Sequence, residues 1–342
     1  MTKYRLVPCL LAASTATLAL AQGPTISAVT NGVSFTDQIS PGIPASIFGS
    51  DLSGHHLKVT VDRLDCPVLF TSTSQLNIQI PWEAKLGPGK FIVEHDGLSS
   101  APFSVTLSKY SPALFVSNNS GTGLFYSGAI QITSANPANG GDTLTTFAVG
   151  LGQTNPPAVT GVNTPNPPPY YVTLAAPSIS VGKRPADILF SGLLPAALAI
   201  DQLNLTLAPN TPVGTQTVLL RVGSASTNLV TVPIGCQDFT SAVSVTTGPL
   251  QNPSPGQYTQ TVTIQNTSGK RIAAKASLLL TKLTSSAQLT NGGGKSCPSS
   301  DLSLYKSFTF TGSGASQTAT VTLDFTDSST GSITYGQRIL AQ

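Results

Sequence analysis

Gln75-Leu76-Asn77-Ile78-Gln79-Ile80-Pro81 alternates polar and apolar side chains, and a near-copy, Gln202-Leu203-Asn204-Leu205-Thr206-Leu207-Ala208, returns later in the chain. Period two is the mark of a strand with one face in a core. Leu76, Ile78 and Ile80, and Leu203, Leu205 and Leu207, supply the inward faces. Gln75, Asn77 and Gln79, like Gln202, Asn204 and Thr206, are expected on the solvent side.

The surroundings of the two copies repeat in the same order. Before the first lie a turn at Ser40-Pro41-Gly42, a strand over 45–48, a strand over 58–62 with Val59 and Val61 inward, and the run Val68-Leu69-Phe70. After it, Gly87-Pro88-Gly89 reads as a turn into a strand over 90–95, whose Phe91, Val93 and His95 share a face. Asp96-Gly97 is a hairpin signal, and 103–107 alternates again. In the second copy Ile179 and Val181, Ile188-Leu189-Phe190, and Val218, Leu220 and Val222 take the equivalent places, closed by Val230, Val232 and Ile234. A proline-rich loop over 163–171 and about seven residues around 192–201 are inserted. Between the copies, Leu114-Phe115-Val116 and Leu124-Phe125-Tyr126 are expected to add strands to the second unit. From Cys236 onward a third series follows, with alternation over 258–264, 276–280 and 319–325 and a glycine-rich loop at 291–295. No helical period is evident after the leader. The expected fold is all-β: three tandem immunoglobulin-like β-sandwiches after a signal peptide. The expected boundaries are 1–21, 22–108, 109–235 and 236–342.

The leader reading rests on Lys3 and Arg5, an apolar run over 6–20, and the cleavage site Ala19-Leu20-Ala21. Cys9 follows Val7-Pro8 rather than small residues, which argues against a lipid anchor. No second long apolar run appears, so no membrane span is expected. Export to the extracellular space, cell surface or periplasm follows. Losing Lys3 and Arg5 takes the 17 basic residues to 15 against 14 acidic ones. That balance, with only 9% charged residues, argues against nucleic acid, which demands a basic face. Three cysteines remain. Cys236 and Cys297 share the last segment and are expected to form a disulfide, worth roughly 4 kcal/mol on a chain-entropy estimate. Cys66 reads as a small buried hydrophobe, with intermolecular pairing as the alternative.

Pro41-Gly42-Ile43-Pro44-Ala45-Ser46-Ile47-Phe48-Gly49-Ser50-Asp51-Leu52, Val149-Gly150-Leu151-Gly152, and the hairpins Gly97-Leu98-Ser99-Ser100 and Gly223-Ser224-Ala225-Ser226 resemble immunoglobulin-like domains of the IPT/TIG kind. The pair resembles a recurrent region of uncharacterised secreted proteins of Acidobacteria, over roughly residues 24–234. The third unit resembles bacterial surface immunoglobulin-like modules. The resemblance implies a sandwich fold and no particular activity. Leu64-Asp65-Cys66 before Pro67 departs from the family pattern.

The chain carries few of the groups that chemistry needs. His55 and His56 are neighbours on a loop and point apart, a poor start for a metal site. His95, between Glu94 and Asp96, is either part of an acid/base cluster or a strand end, and the second is favoured. No G-x-S-x-G elbow, C-x-x-C, H-E-x-x-H or P-loop occurs. No cofactor or metal is expected. Flat aromatic rings on a sandwich surface do stack on sugars or anchor protein contacts, and Trp82, Tyr170 and Tyr171 are the candidate ligand contacts. Trp82 has a competing reading as a cover for the first core, and the Pro-Tyr loop as a stiff excursion. The functional expectation is an exported, non-enzymatic surface or extracellular binding and adhesion module with a glycan or protein partner. The alternatives are a component that self-associates through edge strands, since low charge leaves edges unguarded, and a secreted hydrolase on a sandwich scaffold.

Overall fold

The protein is described here by a computed structural model covering residues 23–342, except 118–120, 167–168, 295–296, 298–303, 314–315 and 330–331. The expected leader lies outside the described residues. The first sandwich uses β1 (Thr25–Asn31), β2 (Pro44–Ser50), β3 (Lys58–Val61), β4 (Leu64–Asp65), β5 (Val68–Thr71), β6 (Gln75–Gln79), β7 (Gly87–His95), β8 (Leu98–Ser99) and β9 (Phe103–Leu107). One sheet runs β1-β2-β6-β5; the other runs β4-β3-β7-β8, with β9 also on β7. This is the immunoglobulin arrangement, and every paired neighbour in it is antiparallel. Ile47, Leu76 and Ile78 face Val59, Val61, Phe91 and Val93 across the core, all buried.

The polar side of the quoted strand is a hydrogen-bonded ladder, built twice. Gln75 Nε2 donates to Asn77 Oδ1 at 2.9 Å, and Ser46 Oγ donates to the same oxygen at 3.0 Å. In the second copy Gln202 Nε2 and Thr145 Oγ1 each donate to Asn204 Oδ1 at 3.0 Å. Gln79 breaks the expectation of solvent exposure: it is fully buried. A loop from the second sandwich lies over it, and Gly161 N–H donates to Gln79 Oε1 at 2.7 Å.

Gly87-Pro88-Gly89 is not a turn either. It is the first part of β7, with Pro88 opposite Thr106. Proline fits because β3 pairs only with Phe91 to Glu94 of β7. The other side of β7 is open at Pro88, so its missing N–H costs no ladder bond.

The second sandwich comprises β10 (Ala113–Leu114), β11 (Phe125–Ser127), β12 (Ile130–Gln131), β13 (Thr143–Val149), β14 (Thr154–Asn155), β15 (Val172–Thr173), β16 (Ser178–Val181), β17 (Arg184–Leu193), β18 (Asp201–Thr206), β19 (Gly214–Val222), β20 (Ala225–Ser226) and β21 (Val230–Ile234). Here β17 crosses from one sheet to the other: residues 184–186 pair with β16 and 187–193 with β18. In the first copy the equivalent path is cut into β4 and β5 at Cys66-Pro67. The two inserts brace each other. Thr164 N–H donates to the Ala197 carbonyl at 3.1 Å, and Ala196 N–H donates to the Thr164 carbonyl at 3.1 Å.

The third sandwich is made of β22 (Gln237–Asp238), β23 (Val243–Thr247), β24 (Gln251–Ser254), β25 (Gln257–Asn266), β26 (Lys275–Thr281), β27 (Ala287–Leu289), β28 (Tyr305–Thr309), β29 (Thr318–Asp327) and β30 (Gly336–Ala341). Its sheets are β22-β30-β26-β28 and β23-β25-β29-β27, with β24 on β25. Cys236 and Cys297 are joined, with Cα atoms 5.7 Å apart. Cys66 is free and buried, and burial pushes its thiol up to about 12, which removes the reactive thiolate at neutral pH.

Both seams between sandwiches are packed. Ala113 and Val149 of the second unit belong to the first core, and Asn31 Nδ2 donates to the Ser111 carbonyl at 3.0 Å. At the other seam Arg338, on β30, reaches back. Its Nε donates to Asp238 Oδ2 and its Nη1 to Asp142 Oδ1, both at 2.8 Å, and Nη2 donates to the Gly140 carbonyl.

Candidate binding cleft at the first seam

Trp82 follows β6 directly, after the buried Ile80-Pro81 pair. Its six-membered ring rests on Gly42, where a Cβ would meet ring carbons at 2.2 Å. Gly42 also has φ +87°, a region that side-chain-bearing residues avoid, so only glycine both makes this turn and receives the ring. The backbone of Trp82 is held from the second sandwich: its N–H donates to Thr160 Oγ1 at 2.9 Å, and that hydroxyl donates to Glu83 Oε2 at 2.6 Å. With the Gly161 bond to Gln79, a single loop from the second unit is fastened to Gln79, Trp82 and Glu83 of the first.

Beside Trp82 this docking leaves a cleft of about 320 Å³, lined by Trp82, Glu83, Gln153, Thr154, Pro157, Ala158 and Leu174. It is shared between the two sandwiches. A second hollow of about 320 Å³ adjoins it, with Leu86, Lys109, Tyr110 and Gln153 in its wall, and a shallow groove of about 680 Å³ runs along β15 and β17. Leu174 borders all three and is 67% exposed.

Tyr170 is 54% exposed and stands edge-on to Phe190, ring centroids 5.9 Å apart. Phe190 lines the groove. Tyr171 is half-buried and acts through its backbone, its carbonyl accepting from Leu193 N–H at 2.8 Å. Trp82 and Phe190, the ring partner of Tyr170, therefore line different hollows, and Leu174 borders both. Sequence reasoning passed over Leu174, Gln153 and Phe190. Leu174 and Gln153 sit in ordinary strand-like or turn-like text, and only the docking of two sandwiches makes them neighbours of Trp82.

Behind the cleft wall sits Asp201, buried among apolar strands. Its Oδ2 accepts from Leu151 N–H at 3.2 Å, while Oδ1 has no partner. Burial pushes the carboxyl up to about 7, with the Leu151 bond pulling the other way. Leu151 leads directly into Gly152 and Gln153 of the hollow walls. His95 has a structural place on the first sandwich. Its Nε2 donates to the Asp51 carbonyl at 2.6 Å, and Nδ1 lies 3.3 Å from Asp96 Oδ2. The Asp51 carbonyl bond, opposed by burial and helped by the Asp96 and Asp51 carboxylates, raises its pKa above the ordinary value. The ring pins the loop at 51–56 to the Asp96 turn. His55 and His56 are exposed. Among the described residues no group of three or more His, Cys, Asp or Glu side chains is gathered for a metal, and no helix is long and apolar enough to cross a membrane.

No protein-family model and no curated protein matches the chain. Solved structures do align with it at low identity. A surface glycan-binding protein, SGBP-B of the xyloglucan utilization locus of Bacteroides uniformis, is 11% identical with 94% of this chain and 98% of its own covered, at a TM-score of 0.27. SGBP-B of the Bacteroides ovatus mixed-linkage glucan locus, solved with a heptasaccharide, is 13% identical over 94% of this chain and 77% of that one, at a TM-score of 0.31. The bacterial integrin-binding protein invasin is 12% identical over 91% and 56%, at a TM-score of 0.20. The immunoglobulin-like assignment rests on the sheets themselves: three antiparallel β-sandwiches in tandem.

Proposed function

We propose that this chain is an exported, non-enzymatic binding module that holds an extracellular glycan in the cleft at its first seam. One observation carries the reading: the ring of Trp82 is fixed on Gly42 beside Glu83 and Gln153, in a hollow that neither sandwich forms alone. A flat ring next to a carboxylate and an amide suits a sugar, whose C–H face stacks while its hydroxyls are hydrogen-bonded. Tyr170 with Phe190 offers a second aromatic station along the groove. Glu83 is the one carboxylate of the cleft wall, whereas glycoside hydrolysis calls for two across the bond; this supports binding over hydrolysis. Export, the division at 108/109 and 235/236, and kinship with the IPT/TIG-like tandem belong to the same proposal.

Trp82 is the sole tryptophan, so tryptophan emission reports on the cleft alone. Titration with soluble fragments of plant and microbial polysaccharides is expected to shift its emission saturably. Trp82→Ala should abolish retention on the same polysaccharide in affinity electrophoresis, with Tyr170→Ala weakening it. A flat fluorescence response across the panel, with retention on a protein ligand instead, would replace the glycan by a protein partner.

A further inference from the structure

The hollow that adjoins the Trp82 cleft also holds a ring seated on glycine. Tyr110 stands in its wall with Pro41 and Leu86 from the first sandwich and Gln153 and Leu174 from the second. A Cβ on Gly152 would meet Tyr110 Cε1 at 2.6 Å, and one on Gly223 would lie 3.2 Å from Cε2. The ring is therefore held between two turns of the second sandwich, as the Trp82 ring is held on Gly42.

What differs is the charge. Lys109 is the one charged side chain lining this hollow, as Glu83 is the one lining the cleft. The Lys109 ammonium lies 5.3 Å from the centre of the Tyr110 ring, a cation–π contact that keeps the charge over a fixed ring. Among the described residues the ion pairs are made by Lys58, His95 and Arg338, and none engages Lys109. Lys109 is exposed, so its charge is open to a ligand. Gln153 belongs to both walls, which makes the two hollows neighbours of opposite charge.

We infer that the ligand of the seam is an acidic polysaccharide, whose negatively charged unit lies in the Lys109–Tyr110 hollow while a neutral unit lies on Trp82. The inference rests on the glycan reading of the cleft and names the class of sugar. The ammonium takes the sugar's anionic group through a charge-assisted hydrogen bond, while the exposed Leu86 and Leu174 cover its C–H face. A single cation suits a single negative charge, as on a uronate or a sulfate ester. A phosphate monoester, at about −1.5 to −2 near neutral pH, would call for a second cation. Glu83 sets the direction, because an acidic unit on Trp82 would bring like charges together.

Isothermal titration calorimetry tests this with oligosaccharides containing galacturonate, glucuronate or mannuronate, each beside its carboxyl-reduced neutral form, and with sulfated oligosaccharides beside their desulfated forms. At least one acidic member is expected to bind about fivefold or more tighter than its neutral partner at low salt, by a margin that shrinks as salt screens it. The pair that shows the margin tells uronate from sulfate ester. Lys109→Gln should erase it and Lys109→Arg should keep it. Thermal unfolding of both variants should match the parent, the lysine being exposed. Acidic forms that bind no better than their neutral partners, or a margin that survives Lys109→Gln, would overturn the inference and leave the glycan reading standing. A panel in which neither form of any sugar binds would overturn both.

Discussion

A single carboxylate shows how burial sets pH behaviour. Asp201 has one hydrogen bond where a charged carboxylate accepts several, so the fold favours its protonated form. With the folded value at about 7 against the ordinary 3.8, the folded state binds the extra proton between those limits. Its contribution is intact below about pH 4 and is lost as pH rises to 7. Asp201→Asn, which keeps an acceptor for Leu151 N–H and cannot ionise, is expected to match the parent near pH 4. At pH 8 it should exceed it by an amount on the order of 4 kcal/mol, from about 1.4 kcal/mol per pKa unit. Denaturant unfolding of both proteins at the two pH values measures the difference, and parallel stability curves would refute it. His95 carries the same sign by another cause: its raised pKa adds stability that is full below 6.5 and fades as pH rises through the folded value.

Among the elements, the turn before β2 and the end of β6 work as one unit through Gly42 and Trp82. Gly42→Ala puts a methyl where the ring lies and strains a left-handed backbone. The expected result is a loss of about 2 kcal/mol and a red-shifted tryptophan emission as the ring is displaced into water. An unshifted emission would mean that the ring does not depend on Gly42. Strands with one wet face were legible in the sequence: Leu76, Ile78, Leu203 and Leu205 are all buried as their alternation requires. Three features were not. Val-Leu-Phe reads alike in a buried or a bare strand, and the β-bulge between Val68 and Phe70, which exposes Leu69, leaves no mark in the pattern. Gly87-Pro88-Gly89 looks like a turn until the short reach of β3 is known. Gln79 is polar by type and buried by a loop about 80 residues away, a contact that no local period encodes. Trp82 was legible as a candidate for what it is, an isolated aromatic after a core strand; its partners were not.

At the scale of the whole molecule, the seams make the sandwiches act together. Arg338 serves two acidic residues, Asp142 on the second unit and Asp238 at the start of the third, and both carboxylates are largely shielded. Burial outweighs the arginine at Asp142 and raises its pKa, while the two carboxylates keep Arg338 firmly charged. Arg338→Met leaves those carboxylates without a cation and should cost about 3 kcal/mol, with a broader distribution of molecular dimensions in small-angle scattering. An unchanged scattering profile would show that the Pro209 and Cys236 backbone bonds across the seam suffice. The position of Leu174 has a consequence of another kind. Because it borders the Trp82 cleft, the adjoining hollow and the groove at Phe190, a glycan held as proposed above would cross it in passing from the cleft to the groove. On that proposal the seam measures length. A short chain occupies one station and a longer one adds the next, so affinity should climb in steps with the number of units in the ligand, and Leu174→Asp should remove the later steps while sparing the first.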